Sequence, residues 1–252
     1  MAFKDHFSTQ AATYAAARPT YPAALFSFLA AQSPAMETAL DVATGNGQAA
    51  LGLAPHFTRV IACDASQAQI DNAQPADNVT YHCAGADALP VEDDSIDLIT
   101  VAQALHWFPL DEFYAEVRRV LKPGGLIAAI SYGVQQFDDL ALNAAINELY
   151  EGVLGDYWPP ERFHIETEYR ALPFPFERLE TPDFPMPATW TLNSLEGYFN
   201  SWSATQRYIK AHGENPVPDA MQTIASAWGD TEARLAQFPL SVIIGRVHAA
   251  AE

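Results

Sequence analysis

Asp41, Ala43, Gly45, Gly47 and, nineteen residues beyond Gly45, Asp64 are the residues whose types and spacing could do chemistry in this chain. Glycine has no Cβ, so a turn through Gly45 and Gly47 can take positive φ and lie close to a ligand. Ala39–Ala43 reads as a short apolar strand, and a helix is expected from about Gln48. A helix start leaves unpaired N–H groups and a positive dipole end aimed at the turn. This arrangement holds a polar ligand group at the carboxyl end of a strand, where open α/β sheets bind their ligands. Asp64 ends a second apolar run, Arg59–Cys63. There it can accept hydrogen bonds from both hydroxyls of a ribose, or cap a helix starting near Ser66. Gly45-Asn46-Gly47-Gln48-Ala49-Ala50 fits the dinucleotide pattern G-x-G-x-x-G/A. A second register starts earlier, with Asp41 as an acid and Ala43, Gly45 and Gly47 as three small positions.

A second group of residues could serve a second ligand. His106 is the histidine in a segment leaving a strand toward the same edge; it could be a base or a ring packed beside Trp107. Trp107, Tyr132 and Trp158 could line a pocket or be ordinary core. Tyr14, Arg18 and Tyr21 share one helical face ahead of the first strand. That helix either docks on the core or closes over the site as a lid, with Tyr14 and Arg18 inward. The planar fork of Arg18 would then suit a carboxylate. No spacing of Cys and His suggests a metal. Cys63 and Cys83 fall near strand ends and are expected to be small buried residues in a reducing compartment.

These residues need elements to hold them. Strands are expected at 39–43, 59–64, 79–83, 96–101, 126–131 and 240–247, with extended segments near 174–181 and 186–192. A helix is expected to start at Thr20 to Pro22, with Leu25, Phe26, Phe28 and Leu29 as its apolar face, and others over 48–55, 111–121, 138–151, 192–208 and 217–236, with Lys122-Pro123-Gly124-Gly125 turning the chain into the fifth strand. Strands alternating with helices argue for a parallel sheet covered on both faces. The 240–247 segment, apolar on both faces, is expected between two neighbours. The 252 residues suit one α/β domain with elaborations: a lid and first helix at 1–34, a binding core at 35–132, and cap helices with further strands of the same sheet at 133–252. The formal charge of −18 disfavours nucleic acid and anionic membranes as partners. No apolar run is long enough to span a bilayer, and the start lacks a charged-then-apolar signal pattern, so the cytosol is the expected compartment.

Several segments together carry a resemblance. Leu40–Gly47, Asp64, Ala86-Asp87-Ala88-Leu89-Pro90 with Asp97-Leu98-Ile99, and Arg118–Gly125 resemble the motifs of class I S-adenosylmethionine (SAM)-dependent methyltransferases, the type 11 family, over about residues 36–131. Ala104–Phe108 and Ser201–Tyr208 are similar to a branch that includes trans-aconitate methyltransferases. The resemblance implies a Rossmann-like, seven-stranded, mostly parallel sheet, with SAM as cofactor and S-adenosylhomocysteine as product. It implies that Ala43, Thr44, Gly45, Asn46 and Gly47 hold the methionine part by their backbone, with Asp41 near its ammonium. Asp64 would bind the ribose; Ala65, Gly85, Ala86 and Asp87 the adenine; Ala102 and Gln103 the methionyl end. Ala43 replaces a family glycine, which requires a negative φ there. The implied activity is methyl transfer to a small molecule at oxygen, in a carboxylate or hydroxyl acceptor lined by Tyr14, Arg18, His106, Trp107, Tyr132 and Trp158. The alternative is a SAM-binding sensor or partner subunit without transfer. Monomer and homodimer both stay open.

Overall fold

The computed structural model describes residues 19–248. Strands β1 (Thr38–Val42), β2 (Arg59–Asp64), β3 (Val79–Cys83), β4 (Ile96–Ala102) and β5 (Leu121–Tyr132) are parallel. With β7 (Glu177–Leu179) and β10 (Leu240–Arg246) they form one seven-stranded sheet in the order β3-β2-β1-β4-β5-β10-β7. β10 runs antiparallel to both neighbours. The expected seven strands and the insertion of the last one are therefore met. β10 is less enclosed than its apolar pattern suggests. Its partner β7 is three residues long, so 240–243 stay half-buried and Ile244 and Gly245 alone are buried.

Alternate side chains of the buried strands feed two cores. Leu40, Val42, Ile61, Cys63, Ile99, Val101, Ile127 and Ala129 meet helix α4 (Leu110–Val120) on one face. Ala39, Val60, Ala62, Leu98, Ala128 and Ile130 meet α1 (Ala23–Gln32) and α2 (Gln48–Leu53) on the other. Strands buried on both faces read as near-continuous apolar runs, which is why this part was legible. The Lys122–Gly125 segment is not a turn before β5. Ile96 pairs with Leu121 and Leu98 with Leu126, so these residues bulge out of the strand itself.

That bulge carries a buried anchor. Asp97 is fully buried, its Oδ2 accepts the amides of Glu37 (3.1 Å) and Thr38 (2.9 Å), and its Oδ1 forms an ion pair with Lys122 Nζ at 2.9 Å. It ties the start of β1 to β4 and to the bulge. Asp97→Asn is expected to lower unfolding free energy by about 2 kcal/mol, because a charge-assisted set becomes a neutral one. Urea denaturation measures this; an unchanged midpoint would show that the anchor contributes nothing net.

Beyond β5 a cap builds a core of its own. β6 (Gln136–Phe137), β9 (Arg234–Phe238) and β8 (Met186–Trp190) form a three-stranded antiparallel sheet. Around it pack α5 (Leu140–Asn147), α7 (Leu192–Asn200), α8 (Ser203–His212) and α9 (Val217–Trp228). Two expectations are corrected here. The helix expected over 217–236 ends at Trp228, where Gly229 turns the chain at φ +69°, and 234–238 is a strand. The helix expected over 192–208 is two helices broken at Ser201-Trp202. Cys63 is buried but Cys83 is exposed, against the expectation for both. Among the described residues no helix is long and apolar enough to cross a membrane.

Candidate active site

β1 lies between β2 and β4, and the crossovers leave it in opposite directions, so the carboxyl ends of β1 and β4 border a crevice. The glycine turn fills the β1 side. Thr44 N donates to Cys63 O (2.9 Å), and Gly47 N donates to Thr44 O (3.0 Å). Gly45 stands at φ +57° with nothing closer than 4.0 Å to a built Cβ, so its outer side is open. Gly47 (φ +91°) precedes α2, and a Cβ there would lie 2.3 Å from Tyr81 Oη. Asn46 is half-buried on the same turn. Ala43 corrects the sequence reading: its φ is +56°, not negative. A left-handed alanine costs roughly 1–2 kcal/mol. Strain of this kind persists where the surroundings over-determine it, and it gathers at binding sites. Gln103, leaving β4 across the crevice, is also left-handed (φ +57°).

Asp41 joins the two sides. It pairs in register with Thr100 of β4, whose Oγ1 donates to Asp41 Oδ1 at 2.6 Å. Thr44 Oγ1 donates to Asp41 Oδ2 at 2.5 Å. Burial pushes the carboxyl up to about 6, against the two hydroxyls, which favour its charged form. Asp64 closes the turn from β2. Its Oδ2 accepts Gly45 N and its Oδ1 accepts Ser66 N, both at 2.9 Å. The bond to Ser66 N is the role that the capping alternative expects of Asp64. Ala65 beside it is exposed, and Gly85 and Ala86 after β3 are half-buried. A Cβ on Gly85 would sit 2.5 Å from Asp87 Oδ1, so the exposed Asp87 side chain folds over that glycine.

Beyond the β4 exit lies a pocket that brings together Gln103, His106, Trp107, Tyr132 and Trp158, residues singled out from sequence alone. Ala102 ends β4 just before it. Tyr14 and Arg18 lie outside the described residues. The chain enters the described part beside the turn, where Gln48 Nε2 donates to Pro19 O at 2.9 Å. The pocket also contains Tyr198, Trp202 and Arg162, which sequence reasoning missed. Trp202 stands in the Ser201–Tyr208 segment that carried part of the resemblance. Arg162 could have been noticed as one of three arginines, with Arg170 and Arg178, in a Pro- and aromatic-rich stretch of an acidic chain.

Arg162 is held by aromatic groups. Its guanidinium carbon lies 5.0 Å from the Trp158 ring centroid and 5.6 Å from that of Tyr150. Its Nε donates to Tyr150 Oη at 2.8 Å, and that hydroxyl donates to Glu166 Oε1 at 2.9 Å. Among the described residues no carboxylate pairs with Arg162 directly. His106 Nδ1 lies 3.0 Å from the hydroxyl of the fully buried Tyr169. Burial, with Arg162 and His164 nearby, pulls the imidazole down to about 3, so it is neutral at ordinary pH. Among the described residues no cluster of His, Cys, Asp and Glu could hold a metal ion.

Comparison with known proteins agrees with this geometry. A methyltransferase-domain family model matches residues 40–129, the stretch from β1 into β5. A provisionally named methyltransferase of Dictyostelium discoideum is 34% identical over 97% of this chain and 95% of its own. A methyltransferase-like protein of Schizosaccharomyces pombe is 30% identical over 78% of this chain and 77% of its own. A structure from Anaeromyxobacter dehalogenans, provisionally named a type II methyltransferase, superposes with a TM-score of 0.86 at 41% identity, covering 92% of this chain and 98% of that one. The chain belongs to the class I SAM-dependent methyltransferases. Within that class it falls in the type 11 family: it is an enzyme that uses SAM, yields S-adenosylhomocysteine and acts on a small molecule.

Proposed function

We propose that the enzyme methylates an oxygen of a small carboxylic acid. Arg162 carries this reading: a guanidinium with no carboxylate partner among the described residues, stacked on aromatic rings and lining the pocket of a chain with 31 acidic side chains. A planar fork of that kind matches a carboxylate. The low basicity of His106 favours the same acceptor. A phenol or alcohol needs its proton removed, whereas a carboxylate is already ionised. The Ala104–Phe108 and Ser201–Tyr208 segments, similar to the trans-aconitate methyltransferase branch, both contribute to this pocket through His106, Trp107, Trp202 and Ser203, which supports an acceptor of that kind. Radiolabelled SAM offered with a panel of small carboxylic acids and phenols tests the reading; label passing to phenols and to no acid would refute it.

SAM supplies an electrophilic methyl group on a sulfonium. The open backbone at Gly45, flanked by Ala43, Thr44, Asn46 and Gly47, fits its methionine part, and the Asp64 carboxylate at the end of β2 fits a ribose, from whose hydroxyls it can accept hydrogen bonds. Small Ala65, Gly85 and Ala86, with Asp87 at their edge, leave room for a flat ring; Ala102 and Gln103 border the methionyl end. Trp107, Tyr132, Trp158 and Trp202 exclude water and orient the acceptor oxygen, and positioning of this sort supplies much of a barrier reduction. Residues 3–21, with Tyr14 and Arg18, are the element that would close over the two ligands on this reading. On this reading the chain divides near 34 and 132 into lid, binding core and cap. The second reading, SAM binding without transfer, would require a filled pocket, and the open one argues against it.

Asp41 gives a pH dependence. Its carboxyl titrates near 6, and a ligand ammonium prefers the ionised form. SAM affinity should therefore be constant at neutral pH and fall as pH drops through about 6, approaching tenfold per pH unit. Calorimetry across that range checks it; affinity independent of pH would separate Asp41 from the ammonium.

A further inference from the structure

We propose that Tyr169 is a positioning residue for methyl transfer: its hydroxyl fixes His106 in the tautomer protonated on Nε2, so that the imidazole offers the acceptor an N–H donor instead of a base. Tyr169 Oη is 3.0 Å from His106 Nδ1, and the two rings lie 5.9 Å apart. That contact is the one hydrogen bond of the hydroxyl among the described residues. A proton on Nδ1 would donate to the phenol and leave the buried O–H with no acceptor, so the hydroxyl proton goes to Nδ1. Nδ1 then accepts, and the neutral ring carries its own proton on Nε2. Tyr169 lies behind the ring, fully buried, while His106 lines the pocket. Nε2 has no partner among the described residues and is not a buried orphan, so the donor edge faces the acceptor.

The chain strains itself to place this phenol. Glu168 (φ +54°) and Tyr169 (φ +59°) are consecutive left-handed residues, neither of them glycine. They follow helix α6 (Arg162–Glu166), and Tyr169 N donates back to His164 O at 2.7 Å. Two such residues in a row are uncommon, and backbone strain of this kind collects where a geometry must be held. Burial keeps both members of the pair neutral. Arg162 and His164 oppose a charge on His106, and burial outweighs the opposing pull of Arg162 on Tyr169, with Tyr114 also facing that phenol. Trp107 packs against the imidazole with ring centroids 4.8 Å apart and planes tilted by 45°.

The inference rests on the pocket being the acceptor site, but the tautomer does not. Full-length protein labelled with ¹⁵N-histidine, with S-adenosylhomocysteine bound, gives the tautomer of each of the 7 histidines by two-bond proton–nitrogen correlation, with His106→Gln assigning the signal. His106 should be the Nε2–H form between about pH 5 and 8. In Tyr169→Phe it should become a mixture of tautomers, and kcat should fall about tenfold with the KM for SAM unchanged. His106→Gln, which keeps an N–H donor and has no basic nitrogen, should outperform His106→Ala by about tenfold. An Nδ1–H form in the wild type would overturn the proposal. So would a Tyr169→Phe variant that loses thermal stability but keeps tautomer and kcat, or equal losses in the Gln and Ala variants. If Tyr169→Phe does not fold, the wild-type tautomer and the two His106 variants still decide. An Nε2–H tautomer in an enzyme that methylates no acid would refute the acceptor reading and leave the tautomer standing.

Discussion

Asp64→Ala is expected to weaken SAM binding by roughly 2–4 kcal/mol, between about thirtyfold and a thousandfold in affinity. The carboxylate stands at the carboxyl end of β2 with one oxygen on the Gly45 amide and the other on the Ser66 amide. Those two bonds fix its plane, beside the exposed Ala65. Two ribose hydroxyls arriving there would make charge-assisted bonds without any rotation of the acid. The substitution removes both bonds and also releases the glycine turn from β2, so the loss combines a missing contact with a looser frame. Asp64→Asn separates the two: an amide oxygen still accepts, but without charge, so about half of the free-energy loss should return. Isothermal calorimetry measures both. Affinity unchanged in the Ala variant would place the ribose elsewhere.

Arg162→Met is expected to lower kcat/KM for an acidic acceptor about a hundredfold, since a charge-assisted, bidentate pair in a partly closed site is worth around 3 kcal/mol. Methionine fills similar space against Trp158 and Tyr150 without charge. Arg162 takes part in no ion pair among the described residues, so the melting temperature should move little. Loss of its one side-chain hydrogen bond among the described residues, to Tyr150 Oη, leaves that hydroxyl still donating to Glu166. Arg162→Lys keeps the charge but loses the fork and the stacking, so it should recover part of the activity. SAM affinity should be the same in all three proteins. A variant that loses turnover on neutral and acidic acceptors alike would make Arg162 a packing residue.

The sheet and the glycine turn were legible because their physics is local. Fully buried parallel strands read as apolar runs, and an acid followed by small residues is readable as a turn that a ligand can approach. The register that links Asp41 to Thr100 was not legible, because it depends on which strands become neighbours. The φ of Ala43 was misread for a related reason. An alanine by itself prefers negative φ, and the surrounding turn overrides that preference. In the cap, Arg234–Phe238 has the period-two pattern of a strand, with Ala236 and Phe238 buried and Leu235 and Gln237 exposed. It was read as the tail of α9 because a long helical pattern runs straight into Gly229. Five pocket residues were found from sequence: Gln103, His106, Trp107 and Tyr132 because they end or follow β4 and β5, and Trp158 because it is a large aromatic in the Pro- and aromatic-rich stretch. Arg162 and Tyr169 were not, since each matters through contacts with residues far along the chain: Tyr169 reaches His106 across 63 positions.

The acceptor atom is the central claim, and the chemical stability of the transferred methyl group tests it most directly. Protein incubated with methyl-labelled SAM and a pool of small carboxylic acids should yield labelled product, and mild alkali should convert that label into volatile methanol, as it does for a methyl ester. Label retained after alkali, as in an ether, an N-methyl or a C-methyl product, would contradict transfer to a carboxylate oxygen.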